Sequence, residues 1–185
     1  MKKLLVVYAT TDGQTRKIAG FVADALQKQG LKVDLVDSAT PSADAVQPRY
    51  AAAVLAGSLH EHLHQRSLQH FAQKNVGWLN AIPTLFLSVS LEAAMPDAVD
   101  RHQARHHLQC FLDATGLAPL RAEPVAGALR YTQYDWLRRA MVKLIARQMG
   151  ASTDTAHDCE YTDWDALERT VDGFVEAAKL APTEA

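Results

Sequence analysis

The sequence predicts a doubly wound α/β fold: a five-stranded parallel sheet with a long insertion between the fifth strand and the last helix. Three observations carry this expectation. Short apolar runs recur along the chain, as strands covered by helices on both faces require. Segments of helical periodicity separate them, and parallel strands need such crossovers. One stretch, residues 127–162, is too long for a simple strand-to-helix connection, and inserts of that length are usually functional.

The elements follow in order. Leu4-Leu5-Val6-Val7-Tyr8-Ala9 is the first strand, ended by the polar turn Thr10-Thr11-Asp12-Gly13. Ile18, Val22, Ala25 and Leu26 then share one helical face, and Gly30 is the stop. Leu31 to Val36 alternates as the second strand. Ala51 to Ala56 is the third, read from its length and its Gly57-Ser58 punctuation, because alanine is a poor strand former. Leu68, Phe71 and Ala72 mark a helix behind it. Pro83 to Val89 is the fourth strand, with proline tolerated at its start. Residues 97–114 form a helix that Gly116 closes. Leu120 to Ala126 is a fifth strand interrupted by polar positions. Asp165 to Leu180 is the last helix, with Leu167, Val171, Phe174, Val175 and Ala178 at helical spacing, and Pro182 to Ala185 frays.

At 185 residues the chain fits one domain, 1–185. Its 48% hydrophobic and 22% charged residues describe a globular chain rather than a disordered one. A net charge of −2 gives no basic excess that would point to nucleic acid. Cys110 and Cys159 lack metal-type spacing and are too few for a disulfide scaffold, so both are read as reduced thiols of a cytoplasmic protein. The apolar run after Met1-Lys2-Lys3 is too short for a signal peptide, and no segment reaches the ~20 apolar residues that span a bilayer. Oligomeric state is left open, a homo-oligomer included.

In an open α/β sheet, ligands bind beyond the carboxyl ends of the strands. There the first loop reads Thr10, Thr11, Asp12, Gly13, Gln14, Thr15. Three hydroxyls and a helix N-terminus suit a phosphate. No lysine lies inside the loop, so the nucleoside-triphosphate P-loop is not matched. A mononucleotide phosphate fits, and so does a plain Thr/Asp helix cap.

These residues resemble the flavodoxin-like proteins, which hold the FMN phosphate with a Thr/Ser-x-x-Gly-x-Thr loop. A narrower resemblance is to the flavodoxin-type, quinone-dependent protoporphyrinogen IX dehydrogenases. Its residues are Thr10-x-Asp12-Gly13-Gln14-Thr15-Arg16, Gly127-Ala128-Leu129-Arg130-Tyr131, Lys143-Leu144-Ile145 and Tyr161-Thr162-Asp163-Trp164. They take in the insertion, which ordinary flavodoxins do not share in this form.

The resemblance implies an FMN oxidoreductase of haem biosynthesis that oxidises protoporphyrinogen IX or a related tetrapyrrole and passes electrons to a membrane quinone. It implies cofactor binding by three loops: Thr10, Thr11, Asp12, Gly13, Gln14 and Thr15; then Ser58, Leu59, His60, Glu61 and His62; then Ser88, Val89 and Ser90. No catalytic side chain is assigned, because the chemistry belongs to the flavin. The chain departs from the family at His62, where the family tends to carry a glycine that permits a positive φ or close approach to the flavin.

The same loop spells His60-Glu61-x-x-His64, a zinc-hydrolase signature, with His70 where a third ligand would fall. That chemistry needs the motif on a helix, and His60 follows closely on a buried strand, so no metal is assigned. His102, His106 and His107 read as a solvated helix face rather than ligands.

Within the insertion, Asp135 to Met149 sets Leu137, Ala140, Met141, Val142, Leu144, Ile145 and Met149 on one arc. Arg139, Lys143 and Arg147 lie opposite. Such a helix suits an anionic membrane surface, a partner protein or simple packing on the sheet edge. Arg130 and Tyr131 are expected either to bind the substrate, by pairing with a propionate and stacking on the ring, or to brace the loop. Three functions are therefore weighed: the tetrapyrrole dehydrogenase on the inner membrane's cytoplasmic face, a flavodoxin-type electron carrier or quinone reductase with another donor, and distantly a zinc hydrolase.

Overall fold

The computed structural model describes residues 2–60, 62–95, 97–129 and 159–180. Strand β1 (Lys3–Ala9) is buried from Leu4 onward because both of its faces are covered. Leu4, Val6 and Tyr8 enter one core with Ile18, Val22 and Leu26 of α1 (Gln14–Lys28). Leu5, Val7 and Ala9 enter a second core with Leu68, Phe71 and Ala72 of α3 (Arg66–Leu79). Successive strand residues point to opposite faces, so one unbroken apolar run feeds two cores. The last helix, α5 (Trp164–Ala177), packs beside α1 through Leu167, Val171 and Phe174. On the other face α4 (Ala98–Thr115) adds Leu108 and Phe111, and Phe111 stacks on Phe86 at 4.4 Å.

The expected five-stranded parallel sheet is present. Its order is β2 (Lys32–Asp37), β1, β3 (Ala52–His60), β5 (Thr84–Ser90), β6 (Arg121–Ala126). Each neighbouring pair is parallel. The order reverses beside β1, and the carboxyl ends of β1 and β3 flank that switch point. Pro124 is tolerated because β6 is an edge strand.

Several element ends differ from the sequence expectation. A single-turn helix α2 (Pro41–Asp44) follows β2. Strand β3 runs on to His60 and folds back onto β4 (Leu63–His64), so Ser58, Leu59 and His60 are strand rather than loop. Strand β5 reaches Ser90, one residue past the expected Val89, so the loop that the resemblance implies at Ser88, Val89 and Ser90 is the buried end of a strand. The insertion opens and closes on a two-stranded antiparallel ladder, β7 (Ala128–Leu129) with β8 (Cys159–Glu160). Helix ends obey the expected chemistry. Gly30 and Gly116 take positive φ, and Asp97 and Asp163 accept bonds from Val99 and Ala166 N–H groups as N-caps. Cys110 is an exposed free thiol. Among the described residues, no helix is long and apolar enough to cross a membrane. Glu61, Arg130, Tyr131 and the basic segment 135–149 lie outside the described residues.

Candidate functional site

The first loop folds tightly at the carboxyl end of β1. The Gly13 N–H donates to Thr10 Oγ1 at 2.9 Å, and Gly13 sits at φ 88°, where a side chain is disfavoured. Gly13 is also the N-cap of α1, and no side chain caps that helix. This corrects the alternative of a Thr/Asp cap. No acidic residue stands in the first turn, so the positive end of the helix dipole is not offset from within it. Thr15 is fully buried, and its Oγ1 has no hydrogen-bond partner. An unsatisfied buried hydroxyl costs ~1–3 kcal/mol, which an anion accepting a hydrogen bond from it would relieve.

Two braces hold this loop. Gln65, the residue before α3, donates from Nε2 to Thr11 Oγ1 at 3.0 Å and, through a short contact, to Ser58 Oγ. It ties the first loop to the end of β3. Gln14 donates to Glu160 Oε1 at 2.8 Å and to Thr162 Oγ1 at 3.0 Å, tying the loop to the base of the insertion. Thr162 in turn donates to the Ala126 carbonyl at 2.8 Å, and the Gly127 N–H donates to the Ser90 carbonyl at 3.0 Å. The predicted residues Thr10–Thr15, Ser58 and Ser88–Ser90 therefore converge at one sheet edge. The side chain of Gln14, however, faces the insertion. Gln65 and Glu160 were missed, since a neutral Gln before a helix carries no local signal of a partner far along the chain, and Thr162 stood only within the Tyr161-Thr162-Asp163-Trp164 motif, without a role.

The end of β3 is crowded. A Cβ on Gly57 would lie 2.7 Å from Leu68 Cδ2 and 3.1 Å from His64 Cδ2. His64 is buried between Phe86 and Phe111, with its Nε2 3.0 Å from Ser88 Oγ. Burial, with a lesser contribution from the nearby His107, pushes its pKa down to about 4, so the ring is neutral at pH 7. Ser88 is thus occupied with His64, and Ser90 Oγ accepts from the Ala93 N–H.

The hairpin also settles the zinc-hydrolase spacing. His64 pairs with Leu59 and His60 with Leu63, so the two imidazoles leave opposite faces of the ladder. On a helix the same spacing would bring them together. His62 is at the turn with φ 68°, a conformation that glycine adopts without strain. His102 and His106 are exposed, and His106 instead approaches Cys110 Sγ at 3.6 Å. His107 is half-buried, and burial lowers its pKa while Glu92 opposes the shift.

A flavodoxin domain model matches residues 5–156. The chain is 34% identical over 165 residues to a protoporphyrinogen IX dehydrogenase [quinone] of Escherichia coli (strain K12), covering 89% of this chain and 90% of that one. The chain belongs to the flavodoxin domain family and, within it, to the family of these dehydrogenases. A dehydrogenase of the same name from Leishmania major is 27% identical over 183 residues, covering 97% of this chain and 78% of that one. In structure, this flavodoxin-domain protein is similar to a short-chain flavodoxin associated with a non-canonical PDU bacterial microcompartment. The TM-score is 0.58 at 17% identity, covering 96% of this chain and 99% of that one, and it shows the shared fold. The residues present fit the phosphate of FMN. The uncapped helix N-terminus, the absent Cβ at Gly13 and the orphaned Thr15 hydroxyl all favour an anion at the same place.

Proposed function

We propose that this chain is an FMN-dependent dehydrogenase, acting as a single domain, that oxidises protoporphyrinogen IX to protoporphyrin IX and passes the electrons to a membrane quinone. The observation that carries this reading is the match to the E. coli dehydrogenase over nearly the whole of both chains, the insertion's base included. The unpartnered Thr15 hydroxyl under an open helix N-terminus supports the cofactor half of it. FMN held there would supply the redox chemistry that joins a reduced donor to a quinone.

The chain's own residues bind and orient. Thr15 donates to the phosphate, and Gly13 lets the backbone close on it. Thr10, Thr11 and Asp12 complete that loop, with Gln65 holding Thr11 against Ser58. His64, neutral and buried, fixes Ser88 near the carboxyl end of β5 without adding charge. Arg130 and Tyr131 are assigned to the substrate, the guanidinium to a propionate and the phenol ring to the macrocycle. Arg139, Lys143 and Arg147 are assigned to the anionic cytoplasmic face of the inner membrane, where a quinone resides.

The test is turnover by the purified protein. A yellow protein should release FMN on denaturation and form fluorescent protoporphyrin from protoporphyrinogen only when a quinone is supplied. A colourless protein would refute the cofactor. A flavin-loaded protein that exchanges electrons with other carriers but never with the porphyrinogen would refute the substrate and favour an electron-transfer role.

A further inference from the structure

Outside the phosphate loop, three metal-ligating side chains from separate elements converge. His62 is at the tip of the β3–β4 hairpin, Glu92 opens the one-turn 3-10 helix after β5, and His107 is on α4. Their ligand atoms lie within 4.8 Å of one another. The His62 Nδ1 to Glu92 Oε1 distance is 3.9 Å, too long for a hydrogen bond. The two imidazole rings stack at 5.2 Å and 28°.

We propose that His62, Glu92 and His107 form a binding site for a divalent transition metal of the zinc class. With bonds of ~2.1 Å, tetrahedral ligands stand ~3.4 Å apart, so the His62–Glu92 pair must close by about 0.5 Å and no pair by more than about 1.4 Å. His62 supplies that movement, since its side chain is 73% exposed. Two imidazoles and one carboxylate select zinc and similar first-row ions over magnesium or calcium, which prefer all-oxygen shells. Three protein ligands leave a further position for water. The left-handed backbone of His62 fits this role: a bulky residue occupies a position that glycine holds without strain, and its ring faces two other ligands. A bound ion fastens the hairpin after β3 to the turn after β5. The ligand set shares no residue with the His60/His64 pair or with the His106–Cys110 pair, although the His106 and His107 rings lie 5.7 Å apart.

The experiment is calorimetric titration of zinc ion into the full-length, flavin-loaded protein after treatment with chelator. One zinc per chain is expected, with magnesium failing to compete. His62→Gly and His107→Gln should each weaken zinc binding by roughly tenfold or more. His62→Gly suits the backbone it enters, so an intact melting temperature without zinc separates ligand loss from misfolding. Zinc should raise the melting temperature of the wild type and not of His62→Gly. A double variant, His106→Gln with Cys110→Ser, should bind zinc as the wild type does. The proposal is overturned if the wild type takes up no zinc, if both His62→Gly and His107→Gln bind it with wild-type affinity, or if the loss falls on the His106/Cys110 variant instead. Zinc uptake is read directly, so the result stands whichever electron donor the protein uses.

Discussion

Replacing Thr15 with valine separates the phosphate site from ordinary packing, because its two consequences have opposite signs. Valine keeps the shape of threonine and removes the hydroxyl. In the apoprotein that hydroxyl is buried and unpartnered. Its removal should leave stability unchanged or raise it by up to ~1–3 kcal/mol, the usual cost of an unsatisfied buried polar group. In the FMN complex the same hydroxyl is proposed to donate to the phosphate dianion, a bond of ~1.5–3 kcal/mol, so the dissociation constant should rise roughly ten- to a hundredfold. Urea melts of the apoprotein give the first quantity, and quenching of flavin fluorescence on titration gives the second. Wild-type FMN affinity in Thr15→Val would refute the placement of the phosphate. A large loss of apoprotein stability would show that Thr15 serves the fold.

Burial holds the pKa of His64 at about 4, against ~6.5 in the unfolded chain, which therefore takes up the proton first as pH falls. Stability from this residue should be complete above pH ~6.5, fall by about 3 kcal/mol by pH ~4 and then level, a slope that urea melts of His64→Phe should lack. Gly57→Ala forces a Cβ to 2.7 Å from Leu68 in a buried site and should cost ~1–3 kcal/mol of stability in the same melts. Arg130→Ala should raise the apparent KM for the porphyrinogen roughly tenfold or more with flavin content intact, and Arg130→Lys should recover part of the loss. Loss of FMN together with activity would assign Arg130 to bracing the loop.

The sheet was legible because its central strands are covered on both faces. Leu4 to Ala9 needed only its lack of polar alternation to be read, and Ala51 to Ala56 its length and the Gly57-Ser58 that follows it. The helix α5 was equally plain from Leu167, Val171, Phe174 and Val175. What escaped was short or depended on distant partners. A four-residue helix such as α2 has no room for periodicity. The β3–β4 hairpin hid in a run of histidines whose spacing imitates a helical metal motif. At the site, Gly13 and Thr15 declared themselves through spacing, and their geometry agrees with a phosphate. Gln65 and Glu160 did not, since the bonds they make reach Thr11 from 54 residues away and Gln14 from 146. Ser88, Val89 and Ser90 entered as a loop through the family resemblance, whereas the buried end of β5 holds the two serine hydroxyls on His64 and Ala93.

The central claim is a flavin that passes electrons from a porphyrinogen to a quinone, and anaerobic half-reactions measure it most directly. Protoporphyrinogen mixed with at least a threefold excess of the oxidised, FMN-loaded protein should bleach the flavin absorbance while porphyrin fluorescence rises, about three flavins being reduced by two electrons each for every six-electron oxidation to porphyrin. A quinone added next, still without oxygen, should restore the absorbance. A flavin that stays oxidised in the presence of protoporphyrinogen, while a strong chemical reductant bleaches it and the quinone restores it, would contradict the account.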